Sequence, residues 1–312
     1  MAEAPFYDDV ADGPRDGSAH WCDTSDGVRI RVGHWPNDAA RGSVLIFPGR
    51  TEYIEKYGRA AQIFHSAGYA VAAIDWRGQG LADRLHDDPG MGHVLAFPDY
   101  QHDVAAMWAH CEALDLPKPW HLVAHSMGGA IGLRALMNHA PITSVMFSAP
   151  MWGIYMSRAL RFYATAVTRL GTRIGQGHRV VPGQSTEYTF GDLDFATNLL
   201  THDEEYFAHM QAQGAAHPDL TISGPSILWL HEALEETRVL HGLPSPAVPA
   251  LTFLGSDELI VDHDRIRQRM ARWADGALIE IDGGKHEMMM EVPAIRDRLY
   301  AETIAHFDAH TT

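Results

Sequence analysis

Leu122-Val123-Ala124-His125-Ser126-Met127-Gly128-Gly129 decides how the chain is read: an apolar run with the character of a buried strand breaks at a serine and continues as helix-like sequence. A strand-to-helix turn of this kind strains the backbone of its central residue, so the positions two before and two after it must be small. Here they are Ala124 and Gly128. The turn would lift the Ser126 hydroxyl clear of the sheet. It would also set that hydroxyl at the start of a predicted helix, Met127 to His139, where free N–H groups and the helix dipole favour negative charge. An oxyanion could be held there if the rest of the chain supplies a base and an acid.

Outward from this turn, short apolar runs alternate with helix-like segments. Ser43 to Phe47, Ala70 to Ile74, His121 to Ala124 and Ser144 to Phe147 read as strands, with helices over Tyr57 to Ala67 and Tyr100 to Leu114. A hairpin precedes them, Trp21 to Thr24 and Val28 to Trp35, joined across Ser25-Asp26-Gly27. From Met151 to about Leu243 such strands are missing and amphipathic helical pieces replace them, for example Ile154 to Leu170 and Ser226 to Leu240. The strand pattern returns at Ala250 to Leu254 and Ala277 to Ile281, and a helical stretch, Pro293 to His310, ends the chain. Continuous apolar strands separated by helices predict an α/β fold with a mostly parallel eight-stranded sheet covered on both faces. The predicted organisation is a core of residues 1–150 and 244–312, with 151–243 as a helical cap over the serine.

Composition narrows the partners. The 312 residues are 46% hydrophobic and carry 24 basic against 40 acidic side chains, a formal charge of −16. That charge, with no evident Lys/Arg cluster, argues against nucleic acid and against docking on anionic lipid. Cys22 and Cys111 are too few for a disulfide framework and wrongly spaced for zinc, which fits a reducing compartment. The acidic start, Met1 to Asp9, has no apolar core of a signal peptide, and no later run has the length of a membrane span. A cytoplasmic protein without an integral membrane segment is expected; oligomeric state is not legible.

Hydrolysis by a serine needs a general base in hydrogen-bond reach and a carboxylate to orient it. His286, in Asp282-Gly283-Gly284-Lys285-His286-Glu287 directly after the last predicted strand, is the expected base. His263, His306 and His310 lie too far into helical segments. The acid should follow Ala250 to Leu254, where Gly255-Ser256-Asp257-Glu258-Leu259-Ile260 offers two adjacent carboxylates, Asp257 and Glu258, between which the residues alone do not choose. Two N–H donors are needed for the oxyanion. Met127 follows the nucleophile, and Arg50 follows Gly49 in Phe47-Pro48-Gly49-Arg50-Thr51-Glu52. The Arg50 guanidinium need not take part in the chemistry; pairing with Glu52 or an acidic surface residue is an equal alternative.

With these motifs in place, the chain resembles α/β-hydrolases of the bacterial lysophospholipase and monoacylglycerol lipase branch, also described as serine aminopeptidase-like hydrolases. The likeness covers most of the chain outside the cap. It is densest in Pro48-Gly49-Arg50-Thr51-Glu52, Ile74-Asp75-Trp76-Arg77-Gly78-Gln79-Gly80, Gly92-His93-Val94, Ala124 to Gly129 and around His286. The resemblance implies that the acid stands three residues after the strand-ending glycine, at Glu258 rather than Asp257. Most relatives have aspartate there, and the lysophospholipase-like subset is similar to this chain in having glutamate. Ala124 departs from a common glycine. Asp75 and Arg77 are read as braces for loops. What the resemblance implies as activity is two-step acyl transfer from a small-molecule ester, with Ser126 as nucleophile, His286 as base, Glu258 as its partner, and no metal or cofactor.

Met151, Trp152 and Tyr155, just after the sixth strand, are candidate substrate contacts, and Met288, Met289 and Met290 could add to an apolar pocket. Two other readings stay open. A peptidase could use Asp203-Glu204-Glu205 to hold a substrate amine, and a non-catalytic binding protein could share the fold.

Overall fold

The computed structural model describes residues 2–311. In chain order the elements are β1 (Ala2–Ala4), α1 (Asp8–Ala11), β2 (Ser18–Asp23), β3 (Arg29–Trp35), β4 (Ser43–Phe47), α2 (Gly58–Ser66), β5 (Ala70–Asp75), α3 (Tyr100–Ala113) and β6 (Trp120–His125). There follow α4 (Ser126–Met137), β7 (Ser144–Ser148), α5 (Arg158–Arg173), α6 (Glu204–Ala216), α7 (Ile227–Gly242), β8 (Ala250–Gly255), α8 (His263–Met270), β9 (Gly276–Ile281) and α9 (Pro293–Asp308). The sheet order is β1-β2-β3-β5-β4-β6-β7-β8-β9. From β5 to β9 every pairing is parallel, and β1, β2 and β3 extend one edge antiparallel.

The α/β class stands, and the expected strand count of eight is corrected to nine. The added strand, Ala2–Ala4, pairs with Ala19–Trp21 through its backbone. Its side chains are small or charged, so no hydrophobic alternation announced it. All residues of β4, β5, β6, β7 and β8 are buried, which is why these strands read as unbroken apolar runs: helices cover both faces.

Between β7 and β8 the chain leaves the sheet. The helix expected from Ile154 starts instead at Arg158, because the Ser157 side chain accepts the Leu160 N–H as an N-cap while Ile154 forms an antiparallel bridge with Val261. Helix α5 also departs from the acidity of the chain. It carries Arg158, Arg161, Arg169 and Arg173 with no acid, and it exposes Leu160, Phe162, Tyr163 and Leu170. Among the described residues no helix is long and apolar enough to cross a membrane.

The turn at Ser126 has the strain foreseen, with φ of 48° at a non-glycine residue. Its helix packs so close to β4 that a Cβ on Gly128 would stand 2.1 Å from the Phe47 carbonyl oxygen. That neighbour is backbone of a central strand and cannot move aside cheaply. Gly128→Ala is therefore expected to destabilise the protein by at least about 2 kcal/mol in urea unfolding; an unchanged midpoint would show that the helix is not held this tightly.

Candidate active site

Beyond the carboxyl ends of β6, β8 and β9, three side chains meet. His286 Nε2 lies 3.0 Å from Ser126 Oγ, and His286 Nδ1 lies 2.6 Å from Glu258 Oε2. All three are buried, with Ser126 8% and His286 4% exposed. Glu258 faces inward because its Oε1 accepts the N–H groups of Ile260 at 2.5 Å and Val261 at 3.1 Å, closing the loop back on its own carboxylate. Burial pushes the Glu258 carboxyl upward, but the nearby imidazole and these two N–H bonds outweigh it and hold the group below the usual carboxylate range. Asp257 points away: its side chain is 51% exposed and receives a hydrogen bond from Ser256 Oγ. The arrangement can pass a proton from hydroxyl to imidazole while a fixed carboxylate steadies the resulting charge.

The loop after β4 is held rigidly. Gly49 donates its N–H to Glu52, while the Gly49 carbonyl accepts from Gln79 Nε2 at 3.0 Å and the Thr51 N–H reaches Gln79 Oε1 at 3.3 Å. A trans peptide is planar, so the Arg50 N–H points opposite to the Gly49 carbonyl and away from Gln79. It has no acceptor among the hydrogen bonds of the described residues. The Met127 N–H lies in the first turn of α4, where intrahelical acceptors are lacking. Ser126 opens into a cavity of about 870 Å³ whose wall includes Met151, Ile154, Leu160, Val167, Leu200 and Trp229.

The sequence pattern of the family described as serine aminopeptidase, S33, matches residues 38–293. The chain belongs to this hydrolase family. It is 34% identical to lysophospholipase L2 of Escherichia coli over 307 residues, covering 91% of this chain and 84% of that protein. It is 29% identical to the probable lysophospholipase L2 of Haemophilus influenzae, over 87% of this chain and 85% of that one. Among solved structures, a soluble variant of monoglyceride lipase from Saccharomyces cerevisiae in complex with a substrate analogue superposes with a TM-score of 0.74 at 20% identity, covering 99% of this chain and 100% of that one. At that identity the likeness speaks for the fold, and the fold is the α/β-hydrolase fold.

Not every residue singled out in the sequence reaches this hydrolase's cavity. Met151 lines it. Trp152 does not: it is buried, donates Nε1–H to the Gly129 carbonyl at 3.1 Å and packs between Phe147 and Trp273. Tyr155 is exposed and its ring lies beside His263. Met288, Met289 and Met290 are wholly buried in the core away from the cavity. Asp203 caps α6 and pairs with Arg296, Glu205 pairs with Arg59, and Glu204 is exposed, so the run does not line the cavity. Asp75 and Arg77 do brace loops, Asp75 with Arg31 and the Ile54 N–H, Arg77 with Asp103 and Asp26. Arg50 makes no pair with Glu52.

Sequence reasoning missed the reason for that, a buried ion cluster beneath the site. Lys56 Nζ stands 2.7 Å from both Glu52 and Glu287, and Tyr57 donates to Glu52 at 2.5 Å. His125 faces the same carboxylates, 3.5 Å from Glu52 and 3.3 Å from Glu287. Its Nδ1 meets the Ser148 carbonyl at 3.0 Å and must therefore carry a proton, which leaves Nε2 aimed at two anions. Glu52, His125 and Glu287 have the character of metal ligands, yet the Lys56 ammonium already bridges both carboxylates. Their shared signal was the spacing Glu52-x-x-x-Lys56 and the residues flanking Ser126 and His286.

Burial disfavours charge on His125, but Glu287 and Glu52 overcome it and raise its pKa. Lys56 and His286 are the other charged or titratable groups packed around it. A raised folded-state pKa means stabilisation that is complete below the unfolded value, about 6.5, and is lost as pH rises through the folded value. The unfolding free energy of the wild type is thus expected to fall from about pH 6.5 upward more steeply than that of His125→Gln. Parallel profiles would mean that His125 is neutral throughout.

Proposed function

We propose that this carboxylic ester hydrolase cleaves esters of single-acyl lipids, lysophospholipid or monoacylglycerol in kind, through an acyl-enzyme on Ser126. The observation that carries the reading is the hydrogen-bonded chain Ser126, His286, Glu258 opening into a large, mostly apolar cavity. His286 takes the Ser126 proton as Oγ attacks the ester carbonyl. Glu258 stabilises the imidazolium, and the N–H groups of Arg50 and Met127 receive the oxyanion. The imidazolium then protonates the leaving alkoxide. In the second step His286 removes a proton from water, whose oxygen attacks the acyl carbon, and the imidazolium returns that proton to Ser126 Oγ as the acid departs.

Residues 151–243 act here as a cap: Ile154, Leu160, Val167, Leu200 and Trp229 all contribute to the cavity wall. The names of the relatives, lysophospholipase and monoglyceride lipase, support an ester substrate with one long chain. A peptidase removing N-terminal residues would need a free carboxylate in the cavity for the substrate amine. The two that line it, Glu52 and Glu287, are both engaged by Lys56.

Turnover of p-nitrophenyl esters should fall at least about a thousandfold in Ser126→Ala and His286→Ala. Glu258→Gln should lose a large part of kcat, while Asp257→Asn stays within about threefold of wild type. A larger defect in Asp257→Asn than in Glu258→Gln would reassign the acid, and cleavage of amino-acid anilides without ester cleavage would overturn the reaction class.

A further inference from the structure

Among the charged side chains that line the cavity, Arg50 stands without a counter-charge. Glu52 and Glu287 share Lys56, and His286 is held by Glu258. Arg50 Nη2 donates to a main-chain carbonyl, that of Ser223, and its guanidinium carbon lies 5.0 Å from the ring centre of Trp229. Its Nε is buried with no acceptor, and Nη1 has no partner among the hydrogen bonds of the described residues. Gly92 lets the group lie flat against the main chain, since a Cβ there would stand 2.7 Å from Nη2. Burial lowers the pKa of Arg50 to about 10, opposed only by Tyr100, so the group is still a cation at neutral pH. A part-buried guanidinium whose Nε is shut away without an acceptor and which faces no anion is an unfavourable arrangement that an entering anion would relieve.

The position of Arg50 says which anion. In the proposed mechanism its own N–H receives the oxyanion, and its guanidinium belongs to the wall of the same cavity as Ser126. In a one-chain glycerophospholipid the phosphate is set off from the ester by the glycerol alone, while the acyl chain needs the apolar wall of Met151, Ile154, Leu160 and Val167. The net charge of −16 repels anionic ligands at long range, so a phosphate must be recognised by a local cation. We infer that the Arg50 side chain is the receptor for the phosphate of a one-chain glycerophospholipid and makes the cavity prefer such a substrate to a neutral monoacylglycerol. This rests on the ester-hydrolase reading of the same cavity.

The test compares octanoyl lysophosphatidylglycerol with octanoylglycerol in wild type, Arg50→Met and Arg50→Lys. The ratio of kcat/KM for the phosphate ester to that for the neutral ester should drop at least about tenfold in Arg50→Met, mainly through KM, with partial recovery in Arg50→Lys. A ratio unchanged within about twofold would overturn the inference and leave Arg50 as a strap between the loop after β4 and Ser223. Where the variants do not fold, wild type decides. The non-ester analogue octyl glyceryl ether phosphate should inhibit p-nitrophenyl ester hydrolysis at least about tenfold more tightly than octyl glyceryl ether, and equal inhibition would overturn the proposal. Calorimetric binding of both ethers to Ser126→Ala separates the two readings. A phosphate preference there survives even if no ester is cleaved, whereas ester cleavage without that preference defeats this inference alone.

Discussion

Four buried titratable side chains hold the working parts of this enzyme in register. Lys56 and His125 stand against Glu52 and Glu287, and together they span three pieces of the site. Glu52 accepts the Gly49 N–H and so fixes the loop after β4; His125 is the last residue of β6, directly before Ser126; Glu287 follows His286. Desolvating the Lys56 ammonium and two carboxylates costs far more than any one contact returns, so such a cluster is stable only when complete. Completion requires all three loops to stand in one relative position. The geometry among Ser126, His286 and the loop after β4 is thereby set from beneath, by groups outside the hydrogen-bonded chain of Ser126, His286 and Glu258.

The same logic separates what was legible in the sequence from what was not. Ser126 and His286 could be read because each follows an apolar strand in a run of small residues, a purely local signature. Choosing Glu258 over Asp257 was not local: it depends on Ile260 and Val261 turning their N–H groups back onto one carboxylate. The central strands were plain from burial on both faces, whereas β1 pairs through backbone alone and left no trace in its side chains. Trp152 and Tyr155 show the limit most clearly. They adjoin Met151 in sequence, yet one packs into the core and the other faces water, because the chain turns abruptly at the base of the cap.

The ion cluster left only the i,i+4 spacing of Glu52 and Lys56 as a local trace, since its members come from three separate stretches and only the fold brings them together. Gln79 is a further case. Within the run Asp75 to Gly80 it is one polar residue among several, but in three dimensions it grips both sides of Arg50, through the Gly49 carbonyl and the Thr51 N–H. Long-range hydrogen bonds of this sort decide where a peptide group points, and sequence spacing carries no information about them.

Residue 50 divides its duties between main chain and side chain. The direction of its peptide group is dictated by Gln79 and Glu52 through the neighbouring residues, whatever side chain the position bears. The electrical character of the cavity wall, by contrast, depends on that side chain. The side chain at this position can therefore change while the loop around it keeps its shape.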